Sequence, residues 1–266
     1  MTGQATGNGI SQIEPSSPIS RLRYSLDSMR DRREVRRAER DRQHPLARFR
    51  QLLTTAHEIA ELNPRGLPDL VRAAVRPLQA KYLLGVAEMG RDPYSNIDAN
   101  DFFAPAVQDR LYAADRMTWR GKALGTDQIR LQLARHIVLP WAWNRQRYVG
   151  ALATIGSAKN NDRDTGWRQD GNHGVTLWLP WGIGFVTGGN HSITAGILAG
   201  EGHVQPDEAY DMSYLLDELA CDGLHYRCRR TGKKICPVPD PRTAAVFEIG
   251  RLMRDFRVVP FIDTRD

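Results

Sequence analysis

The chain has 266 residues, of which 26% are charged and 41% hydrophobic, an ordinary balance for a globular protein of one or two domains. The net charge is +6 and the pI about 9.4; eleven Arg against five acids between Arg21 and Arg50 supply that whole excess, so the rest of the chain sums to zero. No run of about 18 apolar residues exists to span a membrane as a helix, the first residues lack the apolar stretch of a secretory signal, and three Cys are too few for a disulfide framework, which points to a reducing, cytoplasmic compartment.

Residues 1–16, rich in Gly, Ser, Thr, Gln and Pro, are predicted to be a disordered tail. A helix is expected from Ser17. Leu22, Leu26 and Met29 recur at helical spacing before RDRREVRRAERDRQ, where acids interleave with Arg as on a solvated helix face. Arg32, Arg33, Arg36, Arg37 and Arg40 are the candidates there for contacts to DNA phosphates or to a protein partner. Pro45 breaks the run. Leu46, Phe49, Leu52, Leu53, Ala56, Ile59 and Ala60 then form the stripe of an amphipathic helix, stopped by Asn63-Pro64-Arg65-Gly66. Pro68 suits a first helical turn, and Leu70, Val71, Ala74, Leu78, Leu83 and Leu84 extend a second helix, with an interruption expected at Pro77. Residues 91–104 read as loop and Pro105 to Met117 as a short helix, so 17–118 is a helical region.

The texture changes near residue 126. Leu131, Leu133, Ile137, Val138 and Leu139 form a strand-like region ending at Pro140. Val175, Leu177 and Leu179 alternate as in a half-buried strand; Pro180-Trp181-Gly182 turns the chain, and Ile183, Phe185 and Val186 form the next strand. GGNHSITAGILAGEG is a Gly-rich turn, a short helix and a glycine stop. Val204 restarts an extended piece, SYLLDELA reads as helix, HYRCRRTGKKICPV as a hairpin around Thr231-Gly232, and PRTAAVFEIGRLMR as a last amphipathic helix. A helical N-terminal region followed by a mixed α/β part over 126–266 predicts the α+β class.

The strand–turn–helix at 183–200 carries the most chemistry. Gly188 and Gly189 allow a tight turn and close approach to a ligand. The following helix start offers unpaired N–H groups and a partial positive charge, which favour an anion. Ser192 is a good capping residue, and Asn190, His191 and Thr194 add polar side chains. The alternative is a strand-to-helix connection whose glycines solve a packing problem.

The order HIVLP, Asn144-Arg145, YVGALATIG, GVTLWLP, WGIGFVT, Gly189-Asn190-His191-Ser192, ITAGILAG and GHVQ resembles the ParB/sulfiredoxin-like fold. The resemblance spans about 70 of the 266 residues, from His136 to Val204, and leaves the N-terminal half unexplained. Members of that fold include partition proteins, sulfiredoxin, a free-serine kinase and mobile-element proteins, whose G-x-H-R-like box opens a helix that receives a nucleotide phosphate. The resemblance therefore implies a divergent bacterial relative, an accessory protein of a mobile element among the options. It implies a nucleotide, with Mg²⁺, at Gly188–Ser192, Thr194, Asn144 and Arg145. The family's Arg after the His is Ser192 here, so its bidentate charged phosphate contact is missing. The second, Arg-bearing nucleotide motif of partition proteins is absent as well.

Other constellations compete. Gly171-Asn172-His173 nearly repeats Gly189-Asn190-His191, and a hairpin between them brings its ends together, so His173 and His191 could share a pocket, although turn-forming Asn-His-Gly is the simpler account. Arg145, Arg147 and Arg168 are candidates for the charge that Ser192 does not supply. Cys221, His225, Cys228 and Cys236 are four potential zinc ligands at C-x3-H-x2-C-x7-C, without a clean C-x2-C knuckle. Trp141, Trp143, Trp167, Trp178 and Trp181 could stack on bases or build a core. For a phosphotransferase or nuclease, His191 and Glu201 are the catalytic candidates, with Asp164 and Asp170 as further acids by proximity. The leading expectation is nucleotide or phosphate binding; the alternative is a DNA- or partner-binding protein without nucleotide chemistry.

Overall fold

A computed structural model describes residues 44–90, 97–113, 118–159 and 166–260, with Met29 and Tyr94. The predicted tail and Arg32, Arg33, Arg36, Arg37 and Arg40 lie outside the described residues. The chain divides into two compact units, Met1–Ala47 and Arg48–Asp266. The second holds the sheets and their cores, so the helical stretch and the strand-bearing stretch are packed together rather than set apart between residues 118 and 126.

Helix α1 (Pro45–Leu62) follows the predicted stripe, with Phe49, Ala56 and Ala60 buried. A single turn at Pro64–Gly66 joins it to α2 (Leu67–Met89). Pro77 does not interrupt α2. Its ring deprives the Ala73 carbonyl of a backbone donor, but both residues are exposed, so that carbonyl is open to water. The expected helix from Pro105 is a 3-10 segment, Pro105–Arg110.

The main sheet is mixed. Its strands are β1 (Lys122–Leu124), β3 (Ile137–Leu139), β4 (Val175–Leu179), β5 (Ile183–Val186) and β7 (Glu208–Asp211), in the order β1-β7-β4-β5-β3. β4 and β5 are the predicted hairpin, β3 runs parallel to β5, and β7 runs parallel to β4. The strand-like region at 131–139 is split: β2 (Leu131–Gln132) pairs instead with β6 (His203–Val204), and a turn held by the Gln132 carbonyl leads into β3. A three-stranded sheet follows, β8 (Leu219–Cys221), β9 (His225–Cys228) and β10 (Lys234–Pro237). The remaining helices are α3 (Arg145–Thr154), α4 (Asn190–Ala199), α5 (Tyr214–Glu218) and α6 (Pro241–Asp255). The class is α+β.

The alternation in β4 and β5 sorts residues into two cores rather than into core and solvent. Trp178, Ile183 and Phe185 face α1, α2, α6 and the 97–111 segment, while Val175, Leu177 and Val186 face Trp167 and the α4 residues Ile193 and Ile197. β4 therefore has no solvent face, contrary to the half-buried expectation. The stretch expected as plain loop at 97–104 buries Phe102 and Phe103, and Phe103 packs on Trp181 and Phe247 with ring centroids 4.7 and 5.1 Å apart. Trp178 and Trp181 are core residues.

Candidate functional site

Parallel strands β3 and β5 each lead at their carboxyl end into a helix, α3 and α4. Asn144 caps α3 by accepting from the Arg147 N–H at 2.9 Å. Gly189 opens α4 in the left-handed conformation, φ 71°, with no side chain to cap it, so the first N–H groups of α4 lack intrahelical acceptors. The two helix starts are tied together. Asn190 Oδ1 accepts from the Trp141 N–H at 2.7 Å, and His191 Nε2 accepts from the Asn144 N–H at 3.1 Å. With Nε2 an acceptor, the neutral imidazole carries its proton on Nδ1. The resemblance thus pointed to two segments, Asn144-Arg145 and Gly189–Ser192, that the fold brings into hydrogen-bond contact.

Aromatic and cationic groups flank this clasp. The half-exposed Trp143 ring meets His191 edge-on at 5.5 Å, and the Arg147 guanidinium lies 5.6 Å above Trp143. Burial, with Arg147 adding to it, holds the His191 pKa below its ordinary value, so the ring is neutral at pH 7. Arg145, at the first position of α3, is exposed and makes no ion pair or side-chain hydrogen bond among the described residues. Thr194 is fully buried one turn into α4, and its hydroxyl has no partner among the described residues. Trp167 anchors α4 by donating from Nε1 to the Ser192 carbonyl at 2.8 Å, and its ring leaves no space for a side chain at Gly196 or Gly202.

Several candidates fall elsewhere. Gly188 and Gly189 have a packing reason: a Cβ on either would overlap the Asn172 carbonyl or the His173 ring. His173 is buried, accepts from the Asp170 N–H at 2.8 Å, and packs on Trp167 rather than opening to solvent. Glu201 follows the last turn of α4, about ten residues and so roughly 15 Å from His191 along the helix. Its carboxylate instead accepts from the N–H and hydroxyl of Ser157, both at 2.7 Å, and these bonds hold its pKa low. An acid–base pair of His191 and Glu201 is therefore not assembled. Asp164 lies outside the described residues.

The Cys/His set does not converge either. Tyr226 sits between Cys221 and Cys236 in register, and strand alternation puts its neighbour His225 on the opposite face of β9. Burial pushes the Cys221 thiol up to about 12, away from the thiolate a metal takes. Among the described residues no three His, Cys, Asp or Glu side chains are placed to hold a metal ion. No helix among them is long and apolar enough to cross a membrane.

Sequence reasoning missed what Asn190 and His191 do. Their partners are backbone N–H groups across the sheet, which carry no residue-type signal.

The fold and site define an α+β protein built on a mixed five-stranded sheet, with two helix N-termini joined at the carboxyl ends of parallel strands. The chain belongs to DUF6710, a family of unknown function whose model matches residues 29–258. No curated protein and no solved structure matches it.

Proposed function

We propose that residues 136–204 are a ParB/sulfiredoxin-like module and that the joined starts of α3 and α4 bind a nucleotide phosphate. The observation that carries this reading is the clasp: Asn190 and His191 hold the Trp141 and Asn144 N–H groups, so two helix N-termini converge. Each contributes a partial positive charge and unpaired N–H donors, which favour the same anion. The carboxyl ends of parallel strands are also where open α/β sheets bind ligands. Arg145 supplies a free guanidinium beside the clasp, in place of the family Arg that Ser192 replaces, and the unpartnered Thr194 hydroxyl is polar and buried nearby in α4. Trp143 offers an exposed aromatic face to a base. The site binds and orients; no base for phosphoryl transfer is assigned.

The test is thermal unfolding of the full chain with ATP and with CTP, each with and without Mg²⁺. A ligand at 100 times its dissociation constant adds about 2.7 kcal/mol of stability. Arg145→Ala is expected to weaken that gain without lowering the melting temperature of the free protein. No shift with any nucleotide overturns the reading.

A second reading rests on charge alone. The excess of six positive charges at Arg21–Arg50 favours a polyanion or an acidic partner for that segment. DNA retention across a salt series, compared with a variant carrying Arg32, Arg33, Arg36, Arg37 and Arg40 as Gln, tests it; equal retention removes the segment from DNA binding.

A further inference from the structure

A second cationic site lies at the other end of β3. A cleft of about 420 Å³ is lined by Arg65 from the turn before α2, Arg72 from α2, Arg135 from the turn before β3, and Arg257 just past α6. Among the described residues Asp69 is the one acid on its wall, and it is paired with Arg72. Four guanidinium groups against one carboxylate leave a net charge of +3. Arg65, Arg135 and Arg257 are exposed, and among the described residues their side chains make no ion pair or hydrogen bond.

The surroundings intensify this charge. The Arg76 guanidinium, one turn along α2 from Arg72, donates to the Ala134 and Arg135 carbonyls, both at 3.0 Å, and to Gln79. Those bonds fix the turn that carries Arg135. Burial and the nearby Arg135 and Arg76 charges lower the Arg72 pKa. The same arginines, after burial, push His136 down to about 4, so the neighbouring imidazole adds no charge but also no relief. Arg257 is the one non-glycine residue among those described with a left-handed backbone, φ 53°. That conformation belongs to the Schellman cap that ends α6, with the Val258 N–H donating to the Met253 carbonyl at 2.8 Å and the Arg257 N–H to the Arg254 carbonyl at 2.9 Å, and the cap fixes where the chain carries Arg257. Like charges gathered from three separate segments, outnumbering the acids beside them among the described residues, favour an anion.

We propose that this cleft binds a small polyanion with two or more linked phosphate groups. One phosphate carries about −1.5 to −2 charge and leaves the cleft unneutralised, whereas a diphosphate matches it. Arginine also suits phosphate oxygens geometrically, because its planar fork makes paired hydrogen bonds. Phe256, half exposed on the cleft wall, offers a flat apolar surface for whatever the phosphates are attached to. The site stands independently of the α3–α4 clasp: Arg135 precedes β3 and the clasp follows it.

Calorimetric titration of the full chain with sodium pyrophosphate, at matched ionic strength, tests the proposal. Saturable binding is expected. Arg65→Ala/Arg257→Ala is expected to weaken it roughly tenfold or more, since each lost contact is a charge-assisted hydrogen bond. Both residues are exposed, so the variant keeps its fold, which its melting temperature checks. Arg145→Ala, at the other site, is expected to leave this binding unchanged, so failure here and failure of the clasp are separable. ADP binding tighter than pyrophosphate, with the advantage lost in Phe256→Ala, assigns a nucleoside diphosphate; equal binding assigns the phosphate chain itself. No pyrophosphate binding, or binding unaffected by Arg65→Ala/Arg257→Ala, overturns the proposal. So does duplex DNA binding that this variant abolishes while pyrophosphate does not compete.

Discussion

Gly171-Asn172-His173 and Gly189-Asn190-His191 are the same three residues at the two ends of one hairpin, and they do different things. The pairing of Val175 with Val186 brings the tripeptides face to face, with the Thr187 N–H donating to the Gly174 carbonyl at 2.9 Å. The first tripeptide ends a turn that feeds β4, so its histidine is drawn into the core beside Trp167. The second leaves β5 and must start a helix, so its glycine goes left-handed and its polar side chains reach across to the segment after β3. A local motif therefore fixes neither structure nor site; the direction in which the chain leaves the sheet decides both.

The glycines should separate most sharply. At Gly189 an added Cβ meets the His173 ring and the backbone is left-handed, so Gly189→Ala is expected to cost about 2–4 kcal/mol in chemical denaturation. At Gly171 nothing lies within 4 Å, and Gly171→Ala should stay within about 0.5 kcal/mol of the wild type. Similar losses at both positions would break the comparison.

The histidines come next. His173→Ala empties a buried site and orphans the Asp170 N–H, at an expected cost of about 2–3 kcal/mol. His191→Ala frees the Asn144 N–H and removes the edge contact with Trp143 at a half-buried position, and should cost about 1 kcal/mol. The two tripeptides touch, so Gly189→Ala and His173→Ala should not be additive: without the ring the new methyl has room, and the double variant should recover about 1 kcal/mol of the summed loss. His191 also predicts a pH effect. Its depressed pKa means that the folded chain binds fewer protons than the unfolded one, so stability is full above the ordinary histidine range near 6.5 and falls as the pH drops through the lowered value. His191→Gln, whose amide oxygen can accept the same N–H, should flatten that part of the stability–pH profile.

Much of the fold was legible because local rules and tertiary demands agree. The stripe from Leu46 to Ala60, the β4–β5 hairpin and the glycine-bounded α4 all formed as their spacing predicts. The misses occur where tertiary context outweighs a local signal. Pro77 stays helical because its orphaned carbonyl is exposed. Val175, Leu177 and Leu179 alternate as if one face were wet, but the intervening Thr176 and Trp178 are buried by the opposite layer. The candidate site was half legible: its two segments could be named, but not the backbone hydrogen bonds that join them. The arginine cleft was invisible, because Arg65, Arg135 and Arg257 belong to segments with no shared motif and only the fold collects them.

The asparagines give the smallest stability effect and the most direct separation of structure from binding. Asn172 is exposed and its side chain holds nothing among the described residues, so Asn172→Ala and Asn172→Asp should each stay within about 0.5 kcal/mol. Asn190→Ala removes the acceptor for the Trp141 N–H and should cost about 1 kcal/mol. Asn190→Asp keeps an acceptor oxygen at that place and adds a negative charge in the first turn of α4, where the helix dipole favours it by about 0.3–1 kcal/mol. That variant should therefore be as stable as the wild type, or slightly more so. The same carboxylate occupies the field that a phosphate needs, so nucleotide-induced stabilisation should be lost in Asn190→Asp and kept in Asn172→Asp. If Asn190→Asp folds and binds like the wild type, the second tripeptide is as structural as the first, and the distinction between them is one of hydrogen bonding alone.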